Sequence, residues 1–374
     1  MSPAPSALPG PQPLPSALLR AFDFQAEWCR LPAPFTAQML RRTRAWLDVD
    51  AAAHGALAAV AEDPLAAAAP LRWAGALHHL ALRGLAPWAP LWTAVSASDD
   101  ELDAAIATAW QQQQPHLQAA LALPPQTNEV QRSAALLPGL LWVTARTGLP
   151  LALLEIGASA GLNLWCERWF HDHGRWHWGD PAAPLALHAD WRGDVPSEAG
   201  ADLQVLERAG CDANPIDLTQ PDEGLRLASF IWPDQPERLA RLHAARQAAA
   251  VWMAQEGLAL QRSHALDFVT RQLSAPRPGR ATVLMHSVVW QYIDAAERDA
   301  IAATVEAAGA RATAAAPLAW LRFEPPAGDG HCELRCRLWP DGADHRLAEA
   351  HPHVAWLRWL ADTQKDRDSD TAAA

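Results

Sequence analysis

Between an apolar run and a Leu/Trp-rich segment, the chain reads Glu155-Ile156-Gly157-Ala158-Ser159-Ala160-Gly161. Two chemistries fit this spacing. Gly157-Ala158-Ser159-Ala160-Gly161 matches G-x-S-x-G, the elbow that presents a nucleophilic serine between a strand and a helix. The same residues, with Glu155 ahead of them, also fit a glycine turn that opens a cofactor-binding α/β unit. Gly157 and Gly161 admit backbone angles and close approach that a Cβ blocks. A helix starting near Ala160 would aim free N–H groups and its positive dipole end at the turn.

Three features favour the turn. An elbow serine follows several strands of its sheet, whereas the chain before residue 150 reads as helix. The residue before an elbow serine is usually bulky, and here it is Ala158. Glu155 can accept from an ammonium or hydroxyl group, or orient the turn. The hydrolase alternative keeps the chain order Ser159, Asp267, then His286 or His351. With 15 histidines such an order arises easily by chance.

Other side chains could do chemistry. His286 and Ser287 stand at the carboxyl end of an apolar run, where open α/β sheets bind ligands. His286 can serve as a base; the alternative is a buried histidine bonded to its neighbours. Glu324, at the end of "LAWLRFEP", is a second candidate on the same side. Asn128, Glu129 and Arg132 share a helical face and either line a site or start a helix. His171, His173 and His177, with Asp172 and Asp180, match no zinc spacing, so a solvated loop is expected and no metal is assigned. Cys332 and Cys336 share a strand face and read as packing. His351-Pro352-His353 reads as a turn. Asp234 reads as the start of the next helix, with Pro236 in its first turn.

The elements that must position these residues follow from periodicity. Residues 17–125 are Ala/Leu-rich with helical spacing, punctuated by Pro64, Pro70, Pro87 and Pro90. "TNEVQRSAALLPGLLWVTARTG" reads as a helix ending near Gly148. "LPLALLEIG" is a buried strand and "AGLNLWCERWF" a helix. Residues 171–204, rich in Gly, Pro, Asp and Trp, read as an inserted hairpin or lid. Strands "ATVLMHSVV" and "PLAWLRFEP" alternate with helices "QPERLARLHAARQAAAVWMAQ", "ALDFVTRQLSA" and "AAERDAIAATVEAAGA". "HCELRCRLW" and "DHRLAEAHPHVAW" close the chain as an antiparallel hairpin. This alternation predicts a mostly parallel sheet covered on both faces.

The 374 residues are half hydrophobic, which allows a substantial core. The net charge of -12 and the lack of a Lys/Arg run argue against nucleic acid as a partner. Apolar stretches are broken by Pro138, Arg146 and Pro150, so no membrane span is expected. Five cysteines form no disulfide framework; reduced thiols and a cytoplasmic location are expected. Residues 1–16 read as a Pro-rich disordered leader, and 362–374 as a polar disordered tail.

The turn resembles the first motif of class I S-adenosylmethionine-dependent methyltransferases, D/E-x-G-x-G-x-G, with Ser159 in place of the middle glycine. That resemblance implies a Rossmann-like α/β domain over 126–361 after an α-helical domain over 17–125. It implies a cofactor, S-adenosylmethionine, held by Glu155, Gly157, Ser159, Gly161 and Asn163. Asp212 in "GCDANP" would hold the ribose hydroxyls, with Asp217 as the fallback, and Asp267 would lie near the base. Asn128, Glu129 and Arg132 would fold over the cofactor; Ser287 and Tyr292 would face the substrate. Asp212 lies further from the turn than the family's acid does, and the 171–204 insert would have to account for the gap. Several strings, among them "TNEVQRSAALLPGLL", "LLEIGASAGLNL", "RAGCDANPIDL" and "IWPDQPERLARLHAA", also resemble a bacterial domain-of-unknown-function family with a methyltransferase-like fold. The expected function is methylation of a small molecule or protein side chain. The alternatives are a binding or regulatory protein without turnover, and a serine hydrolase using Ser159. Oligomeric state is not legible.

Overall fold

A computed structural model describes residues 16–60, 62–326 and 330–360. The expected tail, and all of the expected leader except Ser16, lie outside the described residues. The chain divides into two units: Met1–Thr127 with Leu225–Leu239, and Asn128–Gly224 with Ala240–Ala374.

The first unit contains α1 (Ala17–Cys29), α2 (Pro34–Val49), α3 (Ala51–Ala58), α4 (Ala69–Leu82), α5 (Trp88–Ala94), α6 (Asp99–Gln112) and α7 (Gln114–Ala122). Helix starts follow the residues that favour them. Ser16 caps α1, Asp50 caps α3, and Ser98 with Glu101 forms a capping box on α6. The core gathers Phe22, Leu40, Trp73, Leu77, Ile106 and Leu117. The buried Trp73 indole donates to Thr43 Oγ1 at 3.0 Å, which satisfies its polar atom.

A later segment completes this unit. The Phe230 ring lies so close to α4 that a Cβ on Gly75 would sit 2.7 Å from it. Buried His78 bonds the Ser229 carbonyl at 3.2 Å. Ala33, at the start of α2, has no capping side chain. Asp234 caps α2 instead, accepting from Phe35 N at 2.8 Å and from Thr36 N at 3.1 Å, and from Thr36 Oγ1. The sequence placed Asp234 at its own helix start, yet its carboxylate serves a helix nearly 200 residues earlier.

In the second unit, α8 (Ser133–Thr147) ends at Gly148 with φ +62. The strands are β1 (Leu151–Ile156), β2 (Phe170–Asp172), β3 (His177–Trp178), β4 (Ala186–Leu187), β5 (Asp190–Arg192) and β6 (Val205–Asp212). Helices α9 (Pro221–Ser229) and α10 (Pro236–Glu256) carry the chain out of this unit and back. Then follow β7 (Gln261–Arg262), α11 (Ala265–Gln272), β8 (Ala281–Ser287), α12 (Ala295–Gly309) and β9 (Leu318–Glu324). The chain continues through β10 (Cys332–Trp339), β11 (Ala343–Ala350) and β12 (Trp356–Trp359).

Nine strands form one mixed sheet in the order β7-β6-β1-β8-β9-β10-β11-β12-β5. The first five are parallel. From β9 to β12 neighbours are antiparallel, and β5 joins β12 in parallel. β1 and β8 are buried along their whole length, as continuous apolar runs in a covered sheet must be. One face packs on α11 and α12 through Leu154, Phe268, Leu284, Ile301 and Val305. The other receives α8, whose Gly139 lets Leu321 approach the helix backbone.

Two expectations need correction. "AGLNLWCERWF" is a 3₁₀ segment over Leu162–Arg168, with Trp165 outside helical angles, and it leads into β2. Trp165 and Trp169 both pack on Trp252 of α10, and this tertiary burial overrides helical periodicity. The segment 171–204 is not wholly an insert. It forms the small sheet β3-β2-β4, and its β5 is an edge strand of the large sheet. Cys332 and Cys336 are buried on one face of β10, and all five cysteines are free and buried.

Candidate functional site

The chain runs from β1 outward to β6 and β7, then returns to β1's other side for β8 and β9. Open α/β sheets bind ligands at such a reversal, outside the carboxyl ends of the two central strands. The glycine turn leaves β1 there, and His286-Ser287 ends β8 there.

The turn has φ +67 at Gly157, +52 at Ser159 and +71 at Gly161. A Cβ on Gly157 would sit 2.3 Å from Val289 Cγ2, so glycine admits the Val289 side chain against the backbone. Leu260 stands similarly by Gly161, at 3.2 Å from the corresponding point. Several amides at the turn are bonded within the chain. Ala158 N donates to Cys211 O at 2.9 Å and Gly161 N to Ala158 O at 2.7 Å. Ser159 N donates to Asp212 Oδ2 and Leu162 N to Asn128 Oδ1, both at 2.9 Å. The expected helix dipole behind the turn is absent, because only the short 3₁₀ segment follows.

Glu155 is 2% exposed. Asn163 hydrogen-bonds its carboxyl, and Asn163 Oδ1 in turn accepts from Ser133 Oγ at 3.0 Å. Glu155 Oε2 has no partner, and neither has the buried Ser159 Oγ. Burial pushes the Glu155 carboxyl well above the usual carboxylate range, and the nearby Asp212 adds to this.

At the end of β8, His286 sits in register with Arg322 of β9, between Trp320 and Glu324 on the same strand face. Its Nδ1 bonds Glu324 Oε1 at 2.6 Å, and its Nε2 meets Trp320 Nε1 at 3.1 Å. An indole N–H only donates, so Nε2 accepts and the imidazole proton sits on Nδ1 facing the carboxylate. Glu324 Oε1 also accepts from Val289 N at 3.1 Å, while its buried Oε2 has no partner. Trp290 stacks on His286, with centroids 4.8 Å apart. Val288 is held at φ +52, a strained angle for a β-branched residue.

Asn128, Glu129 and Arg132 are all buried, ahead of α8 and not along one face of it. Glu129 caps a 3₁₀ turn over Val130–Arg132. Arg132 donates to Ser287 O at 3.1 Å and to Pro352 O at 3.2 Å, tying β8 to the His351-Pro352-His353 turn. The electrostatic surroundings of Arg132 include Glu129, Glu324 and Tyr292, and those of Glu155 include Arg132 and Asp212. These residues therefore form one polar cluster. Asp212 ends β6 and also accepts from Asn214 N at 2.8 Å. Asp217 is exposed and bonded to Thr219; Asp267 is exposed on α11; Tyr292 is 78% exposed. Trp320, Ser133 and Val289 were missed. Trp320 had a signal, since it lies four residues before Glu324 on a strand and so shares its face.

His171 and His173, read as solvated, are buried. Burial lowers them to about 3 and about 4, respectively. Among the described residues, no group of three or more His, Cys, Asp or Glu is placed to hold a metal, and no helix is long and apolar enough to cross a membrane.

Fold and site together define an α/β protein: N-terminal helices, then a large, mostly parallel mixed sheet with buried polar side chains at its central strand ends. The chain belongs to the family described as "Uncharacterized protein conserved in bacteria (DUF2332)", whose model matches residues 20–359. Neither the curated proteins nor the solved structures give a match.

Proposed function

We propose that this protein binds S-adenosylmethionine at the carboxyl ends of β1 and β6 and methylates a small molecule or a protein side chain. One observation carries the reading. The parallel order β7-β6-β1-β8-β9 is the 3-2-1-4-5 order of Rossmann-like folds, and an acid-and-glycine turn leaves its central strand at the reversal. The donor set fits. Glu155 Oε2 is a buried acceptor without a partner, suited to an ammonium or hydroxyl group. Asp212 is half-buried, and a carboxylate can accept beyond its two loop amides. Val289 must move aside for a ligand to reach the turn's backbone.

When bound, the cofactor supplies the transferable methyl group. Glu324, held through Oε1 by His286 and Val289 N, offers Oε2 to take the acceptor's proton. His286 is a positioning residue, since both its nitrogens are engaged. Holding the acceptor in line matters more here than base strength. Calorimetric titration of the folded chain with S-adenosylmethionine and its demethylated product tests the proposal. Saturable heat is expected; none up to millimolar cofactor would overturn it.

A second reading, binding without turnover, is favoured by the bonded turn amides and by Val289 against Gly157. Cofactor bound with no methyl transfer to any acceptor in an extract would select it. The hydrolase reading has less support. Ser159 is 3% exposed and its Oγ bonds no histidine. Fluorophosphonate labelling that is lost in Ser159→Ala would nonetheless replace the proposal.

A further inference from the structure

Arg132 is a buried cation without a counter-ion. The residue is 8% exposed, and burial holds its guanidinium below the ordinary value. No carboxylate of a described residue forms an ion pair with it, although Glu129 and Glu324 lie in its field. Both acids are engaged elsewhere. Glu129 lies 3.8 Å from Arg241 and caps the 3₁₀ turn, and Glu324 Oε1 holds His286. Glu155 also feels Arg132, but burial favours its neutral carboxyl form. Burying a charge is costly unless a partner compensates it.

Two carbonyls fix the guanidinium plane without neutralising it. Arg132 Nε donates to Pro352 O at 3.2 Å and Nη1 to Ser287 O at 3.1 Å. Nη2 has no hydrogen-bond partner among the described residues. Unlike the sealed and unbonded Arg322 Nε, it meets solvent. A held, planar fork with open N–H groups matches a carboxylate. Its anchors lie at the end of β8 and in the 351–353 turn, away from β1 and β6, where the cofactor is placed. The exposed Tyr292 lies in the same field, on the acceptor's side.

We propose that the open edge of Arg132 takes a carboxylate of the methyl acceptor, which is then a small carboxylic acid with a separate hydroxyl or amine to be methylated. This inference rests on the methyl-transfer reading. Thermal melts of the cofactor-free full chain with propionate, and with propionamide as its uncharged isostere, test it at an ionic strength fixed with chloride. Propionate alone is expected to raise the melting temperature to a plateau. Its apparent affinity should fall about tenfold or more in Arg132→Gln, as loss of a charged donor pair requires. Arg132→Lys keeps the charge but not the fork, so it serves if Arg132→Gln folds poorly, and it should weaken propionate too. No plateau with propionate, an equal effect of propionamide, or unchanged affinity in both variants would overturn the proposal. Calorimetry separates the two sources of a carboxylate. S-adenosylmethionine should bind Arg132→Gln within about twofold of wild type; a tenfold loss, absent for the decarboxylated cofactor, would give Arg132 to the cofactor and overturn the assignment. Propionate binding without cofactor heat would sink the methyl-transfer reading and leave Arg132 as an anion site, whereas cofactor heat without propionate binding would sink this inference alone.

Discussion

Glu155 is the residue on which the most consequences turn. Its carboxyl is buried, its folded value lies above the ordinary 4.5, and one oxygen has no partner. A raised carboxyl value contributes stability below the free group's value. That stability is lost as the pH climbs towards the folded value. Glu155→Gln keeps the shape and the Asn163 contact but cannot ionise. It is expected to melt above wild type at about pH 8 and to converge with it near pH 4.5, as thermal melts across that window would show. If Glu155 receives the cofactor's ammonium group, the same variant should bind S-adenosylmethionine about tenfold more weakly or worse. Much of this residue's setting was legible, because an acid ending an apolar strand before a glycine turn marks a strand-end site. The His286 partnership was half legible. His286 and Glu324 were each readable at strand ends, but their pairing needs the β8–β9 register, and no local pattern encodes register.

At the scale of elements, the β1 turn and the β8 end are coupled through one close contact. Gly157→Ala would place a methyl group against Val289 and hold alanine at positive φ. The expected cost is about 2–4 kcal/mol, from overpacking plus the left-handed penalty. Adding Val289→Ala should recover the steric part and leave about 1 kcal/mol for the backbone angle. Denaturant melts of the two single variants and the double variant would show this non-additivity; additive losses would contradict the contact. Strands with long apolar runs, β1, β8 and β9, stood out in the sequence, as did helices α10, α11 and α12. The segment after Gly161 did not, because Trp165 and Trp169 answer to Trp252, a partner remote in sequence. β5 was hidden for a similar reason: three residues gain strand identity only from pairing with β12.

For the whole molecule, the notable feature is that the helical unit is discontinuous in sequence. The composition changes near residue 126, and the first segment of this unit ends at Thr127. The return at Leu225–Leu239 was not legible, since a cap supplied from far along the chain leaves no spacing to read. Asp234→Ala removes acceptors from two α2 amides and the Thr36 hydroxyl and should cost about 2 kcal/mol, measurable as a lower melting temperature. An unchanged melting temperature would count against the cap. During synthesis, the first seven helices leave the ribosome with α2 uncapped and the place of Phe230 beside Gly75 empty, and they stay so until residues near 239 have emerged. A gene cut after residue 127 would therefore yield a fragment short of its own keystone. A fusion that joins 16–127 to 225–239 would return the segment that such a cut removes.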